Sequence, residues 1–144
     1  MPLTLQCEHF PLTEKELEDL WQATRERMHV PDDTVTLECV SIAEIQRLNR
    51  EYRNKDVPTN ILTFSYAPDT DHDIALCMDI AAQEASERSV ALREYTALLV
   101  VHALLHVSGE DHEKSKQDSL HTAQAEREIL LACGFVPEGL SDVY

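Results

Sequence analysis

The sequence predicts an α+β fold, a single domain in which a small mixed β-sheet of about four strands packs against about five helices. Three observations predict it. The chain has 144 residues, the size of one ordinary domain built on one core. Apolar residues alternate in some short segments and recur at helical spacing in others, in the order β-α-β-α-β-β-α-α-α. No repeat, low-complexity tract or linker-like stretch interrupts that order, so residues 1–144 are read as one domain.

Leu3, Leu5 and Cys7 alternate with polar residues, the pattern of a half-buried strand over residues 3–8. Thr13-Glu14-Lys15-Glu16 is a capping box opening a helix whose face carries Leu17, Leu20, Trp21, Thr24 and Met28, and which ends before Pro31. A second alternating strand spans Thr34–Val40. Ser41-Ile42-Ala43-Glu44 is another capping box, followed by Ile42, Ile45, Leu48 and Tyr52 at helical spacing. After the polar loop 53–60, two strands are expected over Ile61–Tyr66 and Ile74–Ile80, around an acidic turn at residues 69–73. A short helix over Ala81–Arg88 precedes an almost uniformly apolar helix from Leu92 to about Ser108-Gly109. A last amphipathic helix runs from about Ser115 to Cys133, with Gly134 as its stop. The two strand–helix–strand crossovers are expected to be right-handed wherever they join parallel neighbours.

Composition removes several functions. Twelve Lys and Arg against 27 Asp and Glu leave a net charge of −15, a field that repels nucleic acid and anionic membrane over most of the surface. A polyanionic substrate therefore needs a local basic patch or a bound cation. Only Gly109, Gly134 and Gly139 occur, which excludes a GxGxxG loop, a P-loop and a GxSxG elbow. The four cysteines (Cys7, Cys39, Cys77, Cys133) form no C-x-x-C pair and read as buried reduced thiols, pointing to a cytoplasmic protein. The longest apolar run, Ala97–Val101, is far short of a membrane span, and the first residues lack the pattern of a signal peptide.

The most informative stretch is His102-Ala103-Leu104-Leu105-His106-Val107-Ser108-Gly109-Glu110-Asp111-His112. His102 and His106, at i and i+4, project from one helix face and can share a cation. Gly109 can end the helix in the left-handed conformation and turn the chain so that His112 supplies a third nitrogen. Three neutral imidazoles suit Zn²⁺, with Ni²⁺ or another divalent ion as alternatives, and leave a fourth position for water. A lone histidine on an apolar helix is ordinarily a packing residue. Three together would each cost about 1–3 kcal/mol if buried without a partner, and one metal satisfies them all. The general base of H-E-x-x-H peptidases is missing, because Ala103 stands in its place. Asp111 is read as the acceptor that orients a metal-bound imidazole, and Glu110 as a solvated loop residue or a base. His72 is read as solvated, and His121 as a surface residue of the last helix.

Positive charge is concentrated in residues 47–55, where Arg47, Arg50, Arg53 and Lys55 face only Glu51. Arg47 and Arg50 fit a solvated helix surface. Arg53 stands where helix gives way to loop, and its guanidinium can hold a phosphate through two parallel hydrogen bonds.

These motifs resemble the YbeY family of bacterial metal-dependent endoribonucleases, the rRNA maturation factors, over roughly residues 35–135. The family's H-G-x-L-H-L-x-G-Y-D-H signature appears as HALLHVSGEDH, and its LN-x-x-YR-x-x-D-x-PT-[DN]-VLSF run as LNREYRNKDVPTNILTF over residues 48–64. The resemblance implies that His102, His106 and His112 ligate one zinc-type ion per chain and that Arg53 faces the substrate phosphate. It implies cleavage of single-stranded RNA, work on rRNA ends and ribosome quality control, and a small mixed sheet covered by helices. Three positions depart from the family: Ala103 for glycine, Glu110 for tyrosine, and Met78 in the family's Gly-Asp-Ile element. Two other functions fit the same residues. A peptidase or amidase would use Glu110 as base and be indifferent to Arg53. A non-catalytic ribosome-associated factor would close a structural metal with a fourth ligand, His121 or Asp111.

Overall fold

The structure of the protein, a computed structural model, describes residues 3–28, 34–66, 71–108 and 116–136. Its elements are β1 (Leu3–Gln6), α1 (Glu14–Met28), β2 (Thr34–Cys39), α2 (Ile42–Arg53), β3 (Ile61–Tyr66), β4 (Asp71–Leu76), α3 (Met78–Glu87), α4 (Leu92–Val107) and α5 (Lys116–Ala132). This is the expected α+β order, with four strands and five helices among the described residues. The strands form one mixed sheet in the order β1-β2-β4-β3.

Local chemistry explains the helix ends. The box at α1 is complete: the Glu16 amide donates to Thr13 Oγ1 (3.1 Å) and the Thr13 amide to Glu16 Oε1 (2.9 Å). At α2 only half of it forms. The Glu44 amide donates to Ser41 Oγ (3.1 Å), while the Glu44 carboxylate turns to Arg47 instead. Gly134, at φ 85°, stops α5 as expected, with its amide on the Leu131 carbonyl and that of Phe135 on Leu130 (2.9 Å).

The strands make two corrections, at the start of β4 and at its end, where residues 78–80, read as strand, open α3 instead. β1 runs parallel to β2, as its crossover through α1 predicts, but α2 does not connect parallel neighbours. β4 lies between β2 and β3, and β3 pairs with β4 antiparallel. Only four residues separate β3 from β4, too few for a parallel crossover. Residues 71–73, read as turn, are the start of β4. Strand alternation turns His72 inward beside Ile74 and Leu76, so it is 3% exposed instead of solvated, with Nδ1 2.8 Å from Ser65 Oγ.

A third correction concerns the thiols. The pairing of Gln6 with Glu38 sets Cys7 opposite Cys39, with Cα atoms 5.1 Å apart, and the two form a disulfide. Thirty-two residues apart in sequence, they give no spacing signal; the sheet register joins them. Cys77 and Cys133 are free thiols, the first buried and the second half-buried.

One sheet face, carrying Leu3, Val35, Leu37, Ile74 and Leu76, meets α1, α4 and α5 in the main core. The other face places Leu62 and Ala75 against Ile45 of α2 in a smaller cluster. That cluster leaves α2 partly uncovered, so Ile42 and Tyr52, expected on its apolar face, are exposed. α4 is the central helix, packed on α1, α3, α5 and β3, which is why its sequence is apolar nearly all round. Among the described residues no single helix is long and apolar enough to cross a membrane. α3 and α4 together have the length, but a bend of 119° separates them.

Leu104 is fully buried in α4. Leu104→Ala is expected to cost about 2–5 kcal/mol in urea unfolding, the cost of a large-to-small change in a packed core. A loss under about 1 kcal/mol would remove α4 from the centre of the fold.

Candidate metal centre and phosphate-facing arginine

The C-terminal half of α4 carries the two described histidines of the predicted trio. The Ser108 amide reaches the carbonyls of Leu104 and Leu105 (3.1 Å each) and the Ser108 hydroxyl donates to Leu104 O (2.8 Å), which closes the helix just beyond His106. His102 and His106 are one turn apart, with His102 mostly covered and His106 exposed. Ala103, next to His102 in sequence, is buried in the core.

His102 has a partner that sequence reasoning missed. Its Nδ1 lies 2.8 Å from Oε1 of Glu126 on α5, and Glu126 is only 2% exposed. An ionised carboxylate only accepts, so Nδ1 carries the proton and Nε2 is left as the basic nitrogen of the ring. Metal-bound histidines are oriented in this manner. The role given to Asp111 in the sequence thus has an occupant from another helix at His102. The signal for it lay in the pattern of α5: Glu126 falls in the apolar stripe with Thr122, Ala125, Ile129 and Leu130, all buried. A carboxylate on such a stripe needs a partner inside. Glu126→Ala is expected to weaken binding of Zn²⁺ about 10–100-fold in competition with a chromophoric chelator. Unchanged affinity would reduce the pair to a packing contact.

His112, Asp111 and Glu110 lie outside the described residues, as does Gly109. Among the described residues no group of three potential ligands comes together. His121 is exposed on α5, as expected.

Arg53 ends α2. Asn54, at φ 61°, takes the left-handed conformation that asparagine tolerates, and its amide bonds the Arg50 carbonyl at 3.2 Å. The neighbouring cations sort themselves by partner. Arg47 binds Glu44 and Glu51, hydrogen bonds that raise its pKa above the ordinary guanidinium value, with Glu44 the larger cause. Arg50 meets Asp56 at 3.5 Å. Arg53 is exposed and has no ion-pair partner among the described residues. A cleft of about 550 Å³ on the α2 side of the sheet has Glu38, Glu44 and Asp73 in its lining beside Arg47, which Glu44 already pairs, and its lining includes neither Arg53 nor the histidines. Its acidic lining opposes phosphate.

The model of the family described as Endoribonuclease YbeY matches residues 6–134. The chain belongs to the YbeY endoribonuclease family. Among its curated relatives, the endoribonuclease YbeY of Delftia acidovorans is 43% identical over 106 residues, covering 72% of this chain and 70% of the relative. That of Janthinobacterium sp. is 44% identical over 106 residues, covering 70% and 69%. The solution structure of TM1509 from Thermotoga maritima superposes with a TM-score of 0.62 at 27% identity, covering 90% of each chain. YbeY proteins are hydrolases by their description, so family membership makes this chain one of a family of enzymes.

Proposed function

We propose that the chain is a metal-dependent, single-strand-specific endoribonuclease of rRNA maturation and ribosome quality control. In this reading it works in the cytoplasm on rRNA and ribosomal particles, as one domain spanning residues 1–144. The observation that carries the metal part is the His102–Glu126 pair: a buried carboxylate meets Nδ1 of the imidazole and sets its tautomer, the arrangement by which metal-bound histidines are oriented. His106 stands one turn away on the same helix face, and His112 completes the proposed set. Three imidazoles are a donor set that suits Zn²⁺, with Ni²⁺ the alternative. A divalent ion held there would supply Lewis acidity and positive charge at a scissile phosphodiester.

The chain's own residues do the rest. Glu126 holds the tautomer of His102. Arg53, without an internal counter-charge among the described residues, binds a phosphoryl oxygen pair and stabilises the charge that grows on it in the transition state. Asp111, beside His112 in sequence, is proposed as a further acceptor or base at the reacting centre. Few phosphates are neutralised by so acidic a protein, so binding is expected to be weak and to fall steeply with salt.

The test is a purified protein of known metal content given single-stranded RNA, duplex RNA and unstructured peptide. Metal-dependent cleavage of the single strand alone is expected. Peptide turnover, or a metal-loaded protein inert toward every RNA, would overturn the proposal.

A further inference from the structure

Glu84 of α3 is used by no step above, yet it sits where three elements meet. Its Oε1 accepts from the Tyr95 hydroxyl of α4 at 2.8 Å and from Asn60 Nδ2 at 2.9 Å. Asn60 closes the loop that begins after Arg53, and its carbonyl accepts from the Cys77 amide at the start of α3 (2.9 Å). The other end of that loop is tied to α2. Asn49, buried, donates through Nδ2 to the Val57 carbonyl (2.9 Å), its own carbonyl accepts from the Lys55 amide (3.2 Å), and Gln46 Nε2 reaches Asp56 Oδ1 (3.1 Å).

We infer that Glu84 is a positioning residue: with Asn60 and Tyr95 it locks loop 54–60 onto α4 and so holds Arg53 in register with the histidine end of that helix. α4 is one rigid rod in the core, and Tyr95 lies seven residues before His102 and eleven before His106. Fixing the loop to Tyr95 therefore fixes it to the frame that carries both rings. Tyr95 is a dependable donor: burial first, then the Glu84 carboxylate, raise its hydroxyl to about 12, so it keeps its proton throughout the working pH range. A carboxylate is suited to the junction because one oxygen can accept two donors from different elements. Displacement of a charged group by about 1 Å can cost about a hundredfold in rate.

The kinetic consequence rests on the endoribonuclease reading, so the test has one arm that needs no activity. Hydrogen exchange at the amides of residues 54–57, 59 and 60 is expected to quicken at least about tenfold in Glu84→Ala and in Tyr95→Phe, and to stay near wild type in Glu84→Gln, whose amide oxygen still accepts both bonds. In the RNA assay Glu84→Ala is expected to lower kcat/KM about tenfold with bound metal unchanged, and Glu84→Gln to restore it. Added to Arg53→Ala, Glu84→Ala should cost nothing more, because both act through one contact. A full further tenfold loss in the double variant, or unaltered exchange in the loop, would overturn the inference. Should Glu84→Ala not fold, Tyr95→Phe carries the same comparisons, since it removes one hydroxyl and keeps the packed ring. Wild-type protein inert toward RNA would sink the endoribonuclease reading, and the exchange data would still decide whether Glu84 anchors the loop.

Discussion

His106→Ala is expected to abolish both stoichiometric metal and RNA cleavage, with activity at least about 10³-fold below wild type, while thermal unfolding moves little. The separation of these effects follows from where the ring sits. His106 is exposed at the end of α4, so its removal creates no cavity, and exposed substitutions ordinarily change stability by only about 0.5 kcal/mol either way. His102→Ala should lose metal as well. It also removes the imidazole that pairs with a buried carboxylate, so that variant is expected to unfold more easily. Elemental analysis of the two purified variants, with melting curves alongside, makes the comparison. Full metal content in His106→Ala would end the proposal of a shared ion on α4.

Arg53→Ala is expected to keep its metal and its stability and to lose about 10²–10³-fold in kcat/KM on single-stranded RNA, the range for removing one preorganised donor from a developing charge. Arg53 is exposed and has no ion-pair partner among the described residues, so no ion pair among them is lost with it. Arg53→Lys should recover only part of the rate, because an ammonium cannot make the paired hydrogen bonds of a guanidinium. Arg47→Ala is the informative control. Its charge is already taken by Glu44 and Glu51, so cleavage should change less than about twofold. Equal losses at the two positions would mean that a diffuse basic field, and not Arg53, holds the RNA.

The local features of this chain were legible because they rest on short spacings. The i,i+3 box at Thr13 and Glu16, the i,i+4 pair at His102 and His106 and the glycine stop after α5 each involve residues within a turn or two of each other. Where local pattern misled, a competing contact had prevailed. The Glu44 carboxylate preferred Arg47 to its own helix start. The acidic composition of residues 69–73 suggested a turn, but pairing with β2 and β3 draws Asp71–Asp73 into a strand and buries His72. The hydrophobic face of α2 was read correctly in period and overestimated in coverage, since the sheet offers it only a small second core. The histidines were found and the carboxylate behind one of them was not, because the sequence places it 24 residues from His102.

By itself the sequence determined the element order, the α+β class, the histidine pair on one face of the most apolar helix, and membership of a family through two separated motifs. Each is a matter of composition or of spacing along one element, and covalent geometry enforces spacing without help from the rest of the fold. The tertiary structure alone decided the strand order β1-β2-β4-β3, the Cys7–Cys39 disulfide, the burial of His72, and the pairings of Glu126 with His102 and of Glu84 with Asn60 and Tyr95. These depend on which faces meet when the sheet and helices pack. That choice is made by the burial of apolar area across the whole domain, a sum that no local window of residues contains.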